Sequence, residues 1–251
     1  MANTKNILIG GITGGIGSAL ARRLHAAGHT IAGFARDEAK LSELSSELGD
    51  FDYSLCDATD SAAVESSVSE LHEKLGTIEA YVHAIGSIYL KPAHLTADED
   101  WANTINLNLN SAFYALRSVM KRMQKQPEGG SFLFYSTAAA QTGIANHEAI
   151  AAAKGGIEAM VRSAASTYSG RGVRVNAIAP SLTDTPLSKP IVGSEQALEI
   201  SKKMHPLGTI GEANDVASLS EWMISDAAKF VTGQVYVMDG GLSKIVPKPK
   251  M

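Results

Sequence analysis

"NILIGGITGGIGSALARRLHAAG", residues 6–28, decides how the chain is read. A short apolar run, Ile7 to Ile9, enters a turn with glycines at 10, 11, 14, 15 and 17. The turn opens into a stretch whose apolar residues recur at helical spacing until Gly28 stops it. A glycine-rich turn between strand and helix lets backbone N–H groups and the helix N-terminus approach a pyrophosphate without obstruction by side chains. The stretch predicts a strand, a dinucleotide-binding turn and a helix; a plain tight turn is the alternative.

The rest of the chain repeats that rhythm. Apolar runs at 30–35, 51–57, 78–86, 131–137, 173–180 and 234–240 alternate with longer helix-period stretches. That is the pattern of a mainly parallel sheet covered by helices on both faces. The expected fold is α/β: one doubly wound domain of Rossmann type over residues 1–251, with a mainly parallel seven-stranded sheet. Thr96 and Glu99 fit a capping box ahead of one continuous helix over 98–123. Residues 181–212 are proline-rich and irregular, where a substrate lid or a structural insertion would sit. The tail from 244, KIVPKPKM, reads as a loose or partner-docked end.

Composition narrows the function. The 251 residues are 45% hydrophobic, enough for a full core. A net charge of -4 and the lack of a dense Lys/Arg stripe argue against nucleic acid. No apolar run approaches the ~20 residues of a membrane span. The single cysteine, Cys56, offers neither an internal disulfide nor a metal cluster. A cytoplasmic protein without metal, membrane or nucleic-acid partner is expected.

After the second apolar run comes FARD, residues 34–37. An acid at the end of that strand would hold the ribose 2′-hydroxyl of NAD, whereas a guanidinium pairs with the 2′-phosphate of NADP. Ala35 and Arg36 stand there, so NADP(H) is expected over NAD(H), unless Arg36 is solvated or neutralised by Asp37. Asp57 is placed either to hold the adenine amino group or to shape a turn.

These residues, with LNLNSAF (107–113), RGVRVNAIAP (171–180), DTP (184–186) and VTGQVYVMDGGLS (231–243), make the chain resemble the short-chain dehydrogenase/reductase family over essentially its full length. Gly11, Gly15 and Gly17 match the family's cofactor fingerprint, with Gly10 where a threonine is usual. The resemblance implies a dinucleotide held by Gly11, Thr13, Gly15, Ile16, Gly17, Arg36, Asp57, Ala58, Ala84, Gly86, Lys154, Thr183 and Thr185. It implies that Asn108 is a structural and proton-relay residue and that Lys154 anchors the nicotinamide ribose and lowers the donor's pKa. Thr137 falls in the place of the family's serine, with Ser136 the alternative hydroxyl, since strand alternation points only one of the two into the cleft. The family pairs the small-residue helix over 147–168 between subunits, which implies a homotetramer or homodimer.

Two departures stand out. The family's tyrosine, four residues before the lysine, is Ile150 here, and HAIG (83–86) replaces the usual Asn-Asn-Ala-Gly. Isoleucine has no proton to give. In a relative of the family that reduces enoyl thioesters the tyrosine lies seven residues before the lysine, and that place is His147, almost two turns from Lys154 on the same helix face. His147 is the expected proton donor, with a capping role as the alternative. His83 is expected to pack or to touch the cofactor, Tyr89 and His94 follow on a loop, and His205 is expected at the surface. The expected function is an NADP-dependent oxidoreductase acting on a carbonyl or conjugated enoyl group of a small or thioester-linked substrate. The alternative is a catalytically silent NADP-binding sensor or assembly subunit on the same fold.

Overall fold

A computed structural model describes residues 4–246. Its strands are β1 (Asn6–Gly10), β2 (Thr30–Ala35), β3 (Asp52–Leu55), β4 (Ala80–His83), β5 (Gly130–Tyr135), β6 (Val173–Pro180), β7 (Thr183–Asp184), β8 (Gly211–Glu212) and β9 (Val235–Met238). The helices are α1 (Gly15–Ala26), α2 (Glu38–Glu47), α3 (Ser61–Leu75), α4 (Asp98–Ile105), α5 (Ser111–Met123), α6 (Glu148–Tyr168), α7 (Glu195–Met204) and α8 (Ala213–Ile224). Seven strands pair in parallel in the order β3-β2-β1-β4-β5-β6-β9. The order reverses between β1 and β4, which opens a crevice beyond the carboxyl ends of the strands.

Alternation along the strands builds a core on each face. Leu8, Phe34, Tyr81, Phe132 and Phe134 pack with α3, α5 and α6. Their neighbours Ile7, Ile9, Val82, Leu133 and Tyr135 pack with α1, α2 and α8. Because both faces are covered, the strands read as nearly continuous apolar runs. Gly28 ends α1 as expected: its φ is +83°, its N–H donates to His25 O, and His29 N donates to Leu24 O.

Several expectations are corrected. The residue ahead of α4 is Ala97, which makes no side-chain cap, and the Thr96 hydroxyl donates to Pro92 O instead. The continuous helix over 98–123 is broken by a π-helical turn, Asn106–Asn110. The 181–212 segment is not wholly irregular, since it carries β7, β8 and α7, whose N-cap Ser194 accepts from Ala197 N. Of the tail, residues 247–251 lie outside the described residues. No helix among the described residues is long and apolar enough to cross a membrane.

Candidate active site

The strand ends open on one cleft of about 980 Å³. At its floor the turn after β1 meets an α1 N-terminus that no side chain caps, since the N-cap is Gly14. The first N–H groups of α1 are left for a ligand. Gly11, Thr13, Gly15 and Ile16 line this part. Gly11 has φ +78°, and a Cβ there would lie 2.6 Å from Ala84 O. Gly17 does not line the cleft; a Cβ on it would collide with Gly11 O, so it serves the turn's packing. Thr185 lies directly over Gly15, where an added Cβ would come 2.7 Å from its own Cβ. This bare helix end in a glycine cradle fits a dinucleotide pyrophosphate.

Arg36 also lines the cleft, and Lys40, one turn into α2, joins it. Asp37 does not neutralise Arg36: its carboxylate accepts from Lys40 N at 3.1 Å, capping α2, and lies 3.2 Å from Lys40 Nζ. Ala58, Ala84, Gly86 and Thr183 line the cleft. Asp57 is not among the lining residues; its Oδ1 accepts from Thr59 N and Thr59 Oγ1, bonds that with nearby Arg36 hold the carboxyl below its ordinary pKa.

Lys154 is buried on α6, and its Nζ donates to Tyr135 O at 3.0 Å. It has no ion-pair partner among the described residues. Burial pushes its ammonium down to about 8. Gly86 leaves room for it: a Cβ there would lie 3.1 Å from Lys154 Nζ and 2.8 Å from Asn108 Oδ1. Asn108 sits in the π-helical turn, fully buried. Its Oδ1 accepts from Ser87 N, and its Nδ2 donates to Ser87 Oγ and Thr104 O. Asn108 thus fixes the loop that carries Gly86.

The two hydroxyls after β5 are placed differently. Thr137 is half-buried in the cleft, and its Oγ1 accepts from Ala139 N at 3.3 Å. Its own proton has no acceptor among the described residues and is available for a substrate oxygen. Ser136 is buried, and its hydroxyl donates to Glu158 Oε1 at 2.7 Å, with Lys154 O at 3.3 Å.

His147 is the N-cap residue of α6, but its imidazole makes no cap bond to the helix. Its Nδ1 lies 2.7 Å from Ala145 O, and the residue lines the cleft together with Ile150 and Lys154. His83 is a core residue. Ser111 Oγ gives its one proton to Leu107 O, so it accepts from His83 Nε2–H, and Tyr81 Oη donates to His83 Nδ1. Burial, with Lys154 nearby, pushes the His83 pKa down to about 3.

Tyr89 donates to Asp100 Oδ2, and neither it nor His94 lines the cleft. His205 is not at the surface. It is buried in the cleft wall, its Nδ1–H donating to Ser201 O at 2.7 Å and its Nε2 accepting from Ser181 Oγ at 2.9 Å. That pair staples the end of α7 to the start of the 181–212 segment. Sequence reasoning missed Lys40 and Glu158. A cation four residues beyond Arg36 at a helix start was a readable signal for the first; the second carries only a carboxylate at an inward-facing helical position.

Comparison with known proteins supplies the family. The family model described as enoyl-(acyl carrier protein) reductase matches residues 11–243. The D-threitol dehydrogenase of Mycolicibacterium smegmatis is 30% identical over 94% of this chain and 92% of its own. The 3-oxoacyl-[acyl-carrier-protein] reductase FabG of Vibrio harveyi is 28% identical over 95% and 97%. The inactive 2-(S)-hydroxypropyl-CoM dehydrogenase 2 of Xanthobacter autotrophicus is 28% identical over 90% and 100%. Among solved structures, a short-chain type dehydrogenase/reductase from Mycobacterium ulcerans superposes with a TM-score of 0.91 at 31% identity, over 96% of this chain and 91% of that one. With its parallel seven-stranded sheet, its glycine cradle and its buried lysine, the chain belongs to the short-chain dehydrogenase/reductase family of oxidoreductases.

Proposed function

We propose that the protein uses NADP(H) to reduce a carbonyl or conjugated enoyl group of a small or thioester-linked substrate, acting as one domain over 1–251 with residues 181–212 as its substrate lid. The observation that carries this is Lys154: a buried ammonium without a carboxylate partner among the described residues, beside Gly86, in the cleft that bares the α1 N-terminus. A lysine held so is costly unless a ligand uses it.

Bound NADPH would supply a hydride. The chain's residues do the rest. The α1 N-terminus takes the pyrophosphate, Arg36 and Lys40 the 2′-phosphate, Lys154 the ribose hydroxyls, and the Thr183–Thr185 strip covers the turn. Thr137 donates a hydrogen bond to the substrate oxygen and keeps its proton. His147 exchanges the proton at Nε2: as imidazolium it protonates a reduced substrate, and as neutral imidazole it takes the proton from an alcohol. The relatives named for 3-oxoacyl reduction and for threitol dehydrogenation support carbonyl and alcohol chemistry.

Ile150 and the relative named as inactive favour a second reading, an NADP-binding protein without turnover. NADPH oxidation against a panel of ketones, 3-oxoacyl thioesters and enoyl thioesters decides between them. Turnover supports the first reading; tight NADPH binding with no turnover of any member supports the second.

We also propose a homodimer or homotetramer in the cytoplasm. Ala153, Ala164 and Ala165 are buried in the chain's own core and Gly156 packs on Leu109, so these cannot serve a partner. Ala152 is exposed and Gly155 faces open space, and Phe113 on α5 is also exposed. Light scattering at micromolar concentration tests this; a monomer overturns it.

A further inference from the structure

Glu158 is 7% exposed on α6, four residues beyond Lys154, and no cation pairs with it among the described residues. Its two oxygens are used separately. Oε1 accepts from Ser136 Oγ at 2.7 Å and Oε2 accepts from Gln141 Nε2 at 3.1 Å. Those donors stand at the two ends of the short segment that leaves β5. Between them lie Thr137 and the 3-10 turn Ala138–Ala140.

We infer that Glu158 is a positioning residue: its carboxylate clasps both ends of the 136–141 segment and so aims the Thr137 hydroxyl at the substrate oxygen, an inference that rests on the oxidoreductase reading above. A buried carboxylate with only neutral partners is not what packing alone selects, because an apolar side chain of similar volume fills a core at lower cost. What a carboxylate offers is two acceptors and no donor, matched to two donors arriving from different points of one loop. The sheet fixes one of those points as well, since Ser136 N donates to Ile178 O at 2.7 Å. Thr137 therefore has an anchored residue directly before it and an anchored turn directly after it. Its Oγ1 is oriented by Ala139 N, and its proton is left for the cleft. Because Glu158, Lys154 and Ile150 ride on one helix, the clasp also sets where Thr137 stands relative to the lysine.

The test uses Glu158→Leu, Glu158→Gln, Thr137→Ala and the double variant Thr137→Ala/Glu158→Leu. Hydrogen exchange of the 138–142 amides reads the clasp without any substrate, and Glu158→Leu is expected to speed it about tenfold or more. With a turned-over substrate, Glu158→Leu is expected to lower kcat about 10–100-fold, the scale of a misplaced group, while NADPH affinity by calorimetry stays within about twofold. Glu158→Gln should recover most of kcat, since its one oxygen can accept from Ser136 while Gln141 turns its own amide to accept from the new NH2. In the Thr137→Ala background, Glu158→Leu should cost nothing further in kcat, because the lost group is the same.

Additive losses overturn the inference, as does a lowered melting temperature with kcat unchanged. If the unmutated protein turns over no substrate, the oxidoreductase reading fails, and hydrogen exchange still decides the clasp: unchanged 138–142 amides in Glu158→Leu overturn it. Should Glu158→Leu not fold, Gln141→Ala opens one half of the clasp from the exposed side and is expected to move the same readouts in the same direction.

Discussion

The Nδ1 of His147 lies 2.7 Å from the carbonyl oxygen of Ala145, which can only accept, so the proton on that nitrogen is committed and Nε2 is the nitrogen left to exchange one. His147→Ala is expected to lower kcat by about 10²–10⁴, the worth of a positioned acid or base, with NADPH affinity unchanged. Ile150→Tyr restores a phenol where the family has one and should raise carbonyl reduction in the His147→Ala background. Full turnover by His147→Ala would remove His147 from the mechanism.

Lys154 makes a pH prediction for stability. Its ordinary pKa of 10.5 falls to about 8 in the fold because burial penalises the charge. Below pH 8 the lysine is charged in both folded and unfolded chains, and the penalty is fully present. Between 8 and 10.5 the folded state sheds the proton first, so stability rises with pH, by up to about 3 kcal/mol. Lys154→Met should melt higher than the unmutated protein at pH 7, with the gap closing toward pH 10.5, while its NADPH affinity drops. A gap independent of pH over that window would contradict the burial argument.

Arg36 and Lys40 both line the cleft, and of the two Lys40 alone has an acidic neighbour within 4 Å among the described residues. Charge-assisted hydrogen bonds to a phosphate are worth about 1.5–3 kcal/mol each. Arg36→Ala should weaken NADPH binding tenfold or more on that scale and leave NADH binding nearly unchanged. Equal affinities for NADPH and NADH in the unmutated protein would sink the assignment.

Gly10 and Tyr81 are coupled. A Cβ at Gly10 would collide with the Tyr81 hydroxyl and stand 2.8 Å from the Phe34 ring. Gly10→Ala should destabilise by about 1–3 kcal/mol, the cost of overpacking. Tyr81→Phe, which removes the colliding oxygen, should make Gly10→Ala milder, a non-additivity that denaturant melts of the four proteins can read. Strict additivity would show that Phe34 alone sets the limit.

The strands were legible because both faces of the sheet are covered, so each strand announces itself as an apolar run bounded by turns. The 30–35 and 173–180 runs correspond to β2 and β6 residue for residue. The glycine cradle was legible for a similar reason, since only backbone is wanted there. Long-range hydrogen bonds were not. His205 looked like a surface residue because nothing local says that Ser181, twenty-four positions away, will meet its ring. Glu158 sits in a stretch that reads as an ordinary amphipathic helix, and its partners come from the loop after β5. At Thr96 the local pattern pointed to the wrong cap because a 3-10 turn, Ala93–Leu95, precedes it and the threonine hydroxyl bonds back to Pro92 O.

The widened turn at 106–110 amounts to one residue more than a regular helix would hold over the same rise. Carbonyls in and just before it are met by side chains, Asn108 on Thr104 and Ser111 on Leu107. Deleting one residue there would let 98–123 run as an unbroken α-helix with its flanks still in phase, because the five residues of the wide turn cover about the rise and rotation of four in an α-helix. Ser111 would stay against His83 and the apolar flank of α5 against α3, and the loss would fall inside the turn, on Asn108 and the Ser87 loop it holds. The extra residue is thus absorbed within a single turn, and a helix can gain or lose it without being rephased against the sheet.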